Sequence, residues 1–259
     1  EEDLFPNDFL YYLEPASGYF GPVEAFIKER NAKFFKEIDS TEISTNGEGI
    51  LVPHKKDFRL SKMPESLGDC IKSFIIDTSI RWLQGEQNSH SSMLVNASSY
   101  TDTQVSIANV IRSYVADLSY ALKASSGLKD CDAEKSTSYK SLKDHYDDEF
   151  KNNDFEWHDI KKIIHKVVSE IYVVHVNRLK TSERLNYDQY PDGRLVIAVG
   201  GFSLSRGLTL EGLVASYYLR TSKMYDTILQ MGRWFGYREE YENLCRLYIT
   251  KKAWNDFKF

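Results

Sequence analysis

Two stretches in the last quarter of the chain hold residue types that handle phosphate. The first, Gly200-Gly-Phe-Ser-Leu-Ser-Arg-Gly-Leu-Thr-Leu-Glu-Gly212, follows directly on the apolar run Arg194-Leu-Val-Ile-Ala-Val199. Glycines at the end of a buried strand, such as Gly201, let the backbone come close to a phosphate. The hydroxyls of Ser205 and Thr209 and the charge of Arg206 are suited to its oxygens. A bare glycine turn also has a purely steric reading, because many strands end that way. The second stretch, Tyr225-Asp-Thr-Ile-Leu-Gln-Met-Gly-Arg-Trp-Phe-Gly-Tyr-Arg238, sets Gln230, two glycines, Arg233 and Arg238 after a helical pattern. Trp234, Phe235 and Tyr237 flank the two arginines, where they can clamp a base or seat the segment on a sheet.

Charge supports that location. Residues 194–259 hold ten Lys/Arg and six Asp/Glu, a net of +4, leaving 23 basic and 32 acidic residues, a net of -9, in the rest of the chain. Arginine recognises phosphate with two parallel bonds, so an anion site is expected in this quarter; surface ion pairs are the plain alternative. Other chemistry finds little support. No Gly-x-x-x-x-Gly-Lys-Ser/Thr loop occurs, so a nucleotide cradle is missing. Asp147-Asp-Glu149 follows Lys143-Asp-His-Tyr instead of an apolar strand and reads as a solvated charge cluster. Asp130 or Asp132 with Glu149-Phe-Lys151 can be forced into a nuclease-like metal pattern, but chance explains it better in a chain with 38 carboxylates. The six histidines form no His-Glu-x-x-His, and His175 reads as a satisfied core residue; no metal site is expected. Cys70, Cys131 and Cys245 are far apart, which argues against disulfide frameworks and zinc ribbons and makes a reducing cytoplasm the expected location. No apolar run approaches the ~20 residues of a membrane span. The chain opens without Met and stops at Trp254-Asn-Asp-Phe-Lys-Phe259, as a piece of a longer protein would.

The elements that must position these residues can be read from periodicity. Pro15, Gly18, Gly21 and Pro22 predict a loop-rich lead-in, ending in a helix near Val23–Phe35. Helical spacing recurs from Glu65 to Gly85, from about Asp102, as N-cap, to Lys123, and from Trp157 to about Glu170. Short apolar runs at 92–97, 171–176, 194–199, 214–219 and 244–249 predict strands, with a further helix near Met224–Trp234. Residues 125–156 are polar and pattern-poor, like an insertion or a solvated helix pair. Five buried strands alternating with helices predict a parallel α/β sheet with helical insertions. The division expected is a lead-in with helical decoration at 1–90 and an α/β domain at 91–259, with a helical insertion at about 125–170.

At this point the residues resemble the second, carboxyl-terminal RecA-like half of superfamily 2 helicases. The first stretch is similar to their motif V, whose Arg-Gly pair recurs as Arg206-Gly207, and the second to their motif VI, with Gln230, Gly232, Arg233, Gly236 and Arg238. Only one residue separates Gln230 from Gly232-Arg233, and Thr209 stands where motif V usually has Asp. These departures, together with the opening Asp3-Leu-Phe-Pro6, resemble the Z1 domain, which accompanies helicase-type ATPase modules in bacterial restriction- or defence-type proteins labelled endonucleases.

The resemblance implies a DNA-dependent ATPase whose phosphate loop and metal-binding strand lie on an upstream helicase-like domain of the same parent protein. ATP and Mg would bind only with that domain. This chain would supply Gln230, Arg233 and Arg238 to catalysis, and Gly201, Ser205, Arg206, Gly207 and Thr209 to the nucleotide. Asn96, Ser98, Ser99 and Arg206 would touch nucleic-acid backbone. Either arginine can act as the finger; the Gly236-Tyr237 turn gives Arg238 the freer expected path, with Arg233 supporting the 200–209 loop. The rival expectations are an inert DNA- or protein-binding scaffold of the same fold and a metal-dependent endonuclease domain.

Overall fold

Apolar runs without polar alternation need cover on both faces, as in the middle of a parallel sheet. The computed structural model, which describes residues 18–28, 32–39, 55–151, 153–176, 185–201, 209–219, 232–238 and 240–257, places them there. In chain order come β1 (Tyr19–Phe20), a π-helical turn (Val23–Ile27), β2 (Phe35–Glu37), α1 (Glu65–Leu83), β3 (Ser91–Asn96) and α2 (Thr101–Ser125). There follow α3 (Asp130–Ala133), α4 (Thr137–Glu149), α5 (Trp157–Ser169), β4 (Ile171–Val176), β5 (Leu195–Gly200), β6 (Leu213–Tyr218), β7 (Gly236–Tyr237), β8 (Arg246–Ile249) and α6 (Lys251–Phe257). Six strands form one sheet in the order β2-β8-β6-β3-β5-β4, every pair parallel. The chain is therefore an α/β protein, as the apolar runs predict. None of its described helices is long and apolar enough to cross a membrane.

Alternation along the strands sorts side chains to two faces. Met93, Val95, Ile197, Val199, Ala215 and Tyr217 face α1, α2 and α5 in the largest core cluster. Leu94, Val174, Val176, Val196 and Ala198 face the other side with Tyr187. Toward β8 that second face carries an aromatic cluster of Phe20, Phe26, Phe34, Tyr218, Trp234, Trp254 and Phe257. Helix α1 is buried nearly all round, polar Ser73, Asp77 and Thr78 included, because α5 and α4 cover the side away from the sheet.

Three local expectations are corrected. The helix predicted near Val23–Phe35 is confined, among the described residues, to the turn at Val23–Ile27, and Phe35–Glu37 is a strand. Tertiary pairing decides it: β2 lies along β8, and Phe34 is buried against Phe20, ring centroids 4.9 Å apart. Asp102 does not cap α2; Tyr100 is the N-cap, and Asp102 in the first turn pairs with Arg59 at 3.0 Å. Residues 137–149 are a docked helix whose buried face is Tyr139, Leu142, His145 and Tyr146, its N-cap Ser136 accepting the Tyr139 amide. The helix predicted near Met224–Trp234 falls largely outside the described residues.

Candidate functional site

In a parallel sheet the strand ends that point the same way gather their following turns along one edge, so ligands meet several loops there at once. At the carboxyl edge, β3 ends in Asn96 and leads through Ala97-Ser-Ser99 into α2, while β5 ends in Gly200-Gly201. Asn96 and Ser98 are buried and Ser99 is exposed. Ser98 Oγ accepts the Tyr100 amide at 3.0 Å, a local turn that launches the helix. From the first turn of α2, Gln104 Nε2 donates to the Ser98 carbonyl at 2.9 Å, and its Oε1 lies 3.0 Å from His175 Nε2 on β4. An amide oxygen only accepts, so His175 carries its proton on Nε2. A Cβ at position 201 would stand 2.5 Å from Gln104 Nε2 and 2.9 Å from the Ser98 carbonyl oxygen. The space beside Gly201 is thus filled by its own chain, which is the steric reading of a glycine at a strand end, and Gln104 is a member of this edge that sequence reasoning missed. Asn96 Oδ1 is buried and, among the described residues, has no hydrogen-bond partner.

The arginine segment lies elsewhere. β7 pairs antiparallel with β1, and Tyr19 and Tyr237 meet edge to face at 5.4 Å. Trp234 is buried against Tyr218 and Phe257, at 5.6 and 5.1 Å between rings, so it seats the segment on the sheet. Arg233 is half-buried, and desolvation lowers its pKa from the ordinary arginine value. Arg238 overturns the expected free path to a cleft. Only 6% exposed, its Nε donates to the Trp234 carbonyl at 3.0 Å and its Nη2 to the Arg233 carbonyl at 3.3 Å. Its Nη1 donates to the Leu213 carbonyl and, at 3.3 Å, to the Tyr241 hydroxyl. Leu213 opens β6 opposite Ser92, and Ser92 neighbours a β5 residue, Val196, five positions before Gly201. The guanidinium therefore sits roughly 16 Å along the strands from Gly201, at ~3.3 Å per residue.

The amino edge around Arg238 is itself tightly built. Arg81 holds Glu86, the His90 carbonyl and Ser91 Oγ, and stacks over Tyr241 at 4.4 Å. Gly212, at φ +61°, passes so close to His90 that a Cβ would stand 1.8 Å from its carbonyl oxygen. Arg246 is also buried and spends its Nη1 on the carbonyls of Asn243 and Cys245, while Arg194 stacks on Tyr190 and Tyr172 at 4.2 and 5.2 Å. Among the described residues, these arginines of the basic quarter are held by carbonyls and rings, not by surface ion pairs. Thr209 is exposed just ahead of β6; Ser205, Arg206, Gly207 and Gln230 lie outside the described residues.

Two catalytic look-alikes dissolve on inspection of their surroundings. Ser73 Oγ lies 2.8 Å from His145 Nε2, and Asp69 lies 3.9 Å from His145 Nδ1, an order of groups that resembles a nucleophile–base pair with a carboxylate behind it. Yet Ser73 has no exposed surface and also bonds the Tyr248 hydroxyl at 3.0 Å, so no substrate reaches it. Asp130 binds Lys161 and Tyr139 near the start of α4, whereas Glu149 ends that helix against Lys36 at 2.5 Å. Ten residues from Tyr139 to Glu149 at ~1.5 Å each separate these carboxylates by roughly 15 Å. Among the described residues no group of three His, Cys, Asp or Glu side chains fits a metal ion.

The fold and its edges define a parallel α/β domain with a glycine-gated turn at one edge and an arginine-knit segment at the other. The chain matches the model of the Z1 domain over residues 66–259 and belongs to that family; β1 and β2 precede the matched region. No curated protein and no solved structure matches it.

Proposed function

We propose that this Z1 domain is the second motor half of a helicase-like, DNA-dependent ATPase. It supplies an arginine to a nucleotide that a separate, upstream domain of the parent protein holds together with Mg. The observation that carries the reading is the construction of the Gly232–Arg238 segment, where buried Trp234 and the bonds from Arg238 to the Arg233 and Trp234 carbonyls fix the backbone that carries half-buried Arg233. An arginine finger works by meeting the charge that develops on a transferred phosphoryl group, and a fixed backbone lets it do so without reorganising. Arg238 is bound within its own domain, and this reading assigns the finger role to Arg233. Gln230, Ser205, Arg206 and Thr209 are proposed to line the nucleotide, while Asn96, Ser98 and Ser99 contact DNA backbone at the carboxyl edge, where Gly201 packs against Gln104.

Arg233→Ala in the full-length gene product tests the reading. DNA-stimulated ATP turnover should fall at least tenfold, about 1.4 kcal/mol of transition-state stabilisation, while the melting temperature holds. Unchanged turnover would favour the scaffold reading, for which the internal engagement of Arg194, Arg238 and Arg246 speaks.

A further inference from the structure

Arg238 makes four hydrogen bonds, and their destinations are unusual for a surface-derived arginine. Two go to the backbone of the Arg233–Trp234 turn, one to the Leu213 carbonyl at the start of β6, and one to Tyr241. Every acceptor is neutral, and among the described residues no carboxylate pairs with this guanidinium. Burying a cation without a counter-ion is costly, so the arrangement holds only while all the acceptors are in place together. The acceptors belong to two separate stretches: Leu213 directly follows the glycine-rich 200–212 segment, and Arg233–Trp234 belongs to the glycine–arginine segment. Tyr241 is shared with Arg81, which in turn holds His90 and Ser91, the neighbours of Gly212. A shift of either stretch by the length of a hydrogen bond therefore strips acceptors from the same guanidinium.

We propose that Arg238 is a positioning residue that ties the Arg233–Trp234 turn to Leu213 at the start of β6, so that the turn and residues 209–213 move as one unit. The tie is a property of the chain alone; its consequence for turnover rests on the motor reading. Lysine cannot replace it, because a single ammonium does not reach backbone carbonyls in two directions with the fixed fork of a guanidinium.

Hydrogen–deuterium exchange on the 259-residue chain tests the tie without any nucleotide. In Arg238→Lys, amides in peptides spanning 209–214 and 232–237 should both exchange about tenfold faster, while those of α2 are unchanged. Tyr241→Phe, which removes one of the four bonds, should accelerate the same two peptides by less. Acceleration confined to 232–237, or an equal rise in α2, overturns the proposal. In the full-length gene product Arg238→Lys should lower kcat at unchanged KM for ATP. Coupled exchange without an effect on turnover keeps the tie and sinks the motor reading; lost turnover with unchanged exchange sinks the tie.

Discussion

At the scale of single residues, the amino edge is governed by contacts that leave no room for substitution. Gly212 adopts a positive φ and passes against the His90 carbonyl, with Arg81 Nη1 3.1 Å from where a Cβ would stand. An alanine there is strained in its own backbone, by ~1–2 kcal/mol, and must also push the start of β3 aside. Gly212→Ala should therefore destabilise the chain by about 3 kcal/mol or more, read as a shifted urea midpoint at unchanged m-value. Gly85, which also has a positive φ but nothing within 4 Å, provides the control: its alanine variant carries the backbone strain alone. The sequence marks both as glycines beside an element; only the neighbouring chain separates the one that merely turns from the one that also fits a gap.

At the scale of elements, α4 shows how a docked helix hides in a polar sequence. Its inner face is made of Tyr139, Leu142, His145 and Tyr146, three of which carry a polar tip, so the apolar stripe is thin. Tertiary partners then satisfy the tips: Tyr139 takes the Trp157 indole at 2.9 Å, Tyr146 donates to the Phe155 carbonyl at 2.7 Å, and His145 meets Ser73. Burial, aided by Lys72, Lys36 and Arg246 and opposed by Glu149, pushes the His145 pKa down to about 3. The Asp69 carboxylate beside Nδ1 does not reverse this, since it is held by Lys72 at 2.7 Å. A histidine with a folded pKa below its unfolded value of ~6.5 leaves the unfolded chain binding more protons between these values. Its contribution is thus complete above pH ~6.5 and is lost as pH falls toward 3. Asp77, buried and raised by desolvation, acts in the opposite sense over part of that range, so the comparison needs a variant. Relative to His145→Gln, the wild-type chain should lose stability progressively from pH 6.5 to pH 4 in thermal melts. Parallel curves for the two would show that His145 titrates alike in the folded and unfolded chains, against the depressed folded pKa.

For the whole molecule, the six-stranded sheet separates its two chemically suggestive regions. The turn at Gly201, with Gln104 and Asn96, occupies the carboxyl edge, and the Arg238 knot occupies the amino edge. The motor reading places the phosphate loop on a separate domain. On that reading the isolated chain should neither hydrolyse ATP nor cut DNA when incubated with ATP, Mg²⁺ and single- or double-stranded DNA. Turnover above a buffer blank that a point substitution in this chain abolishes would refute that and would return the endonuclease reading to consideration.

Periodicity alone sufficed for the frame: the strands at β3, β4, β5, β6 and β8 and the helices α1, α2 and α5 follow from apolar spacing that few other folds could bury. The glycines and arginines of the last quarter are legible as types in an order, because residue type and order are local properties. What the tertiary structure alone decided is which side chains are buried. Arg233 and Arg238 stand five positions apart, and nothing in their spacing says that one grips backbone carbonyls while the other is half-exposed. The strand at Phe35–Glu37 and the Ser73–His145 contact likewise join residues separated by long stretches of chain. Local propensity is blind to such pairings, since their free energy arises only once the sheet has closed and water has been excluded from between them.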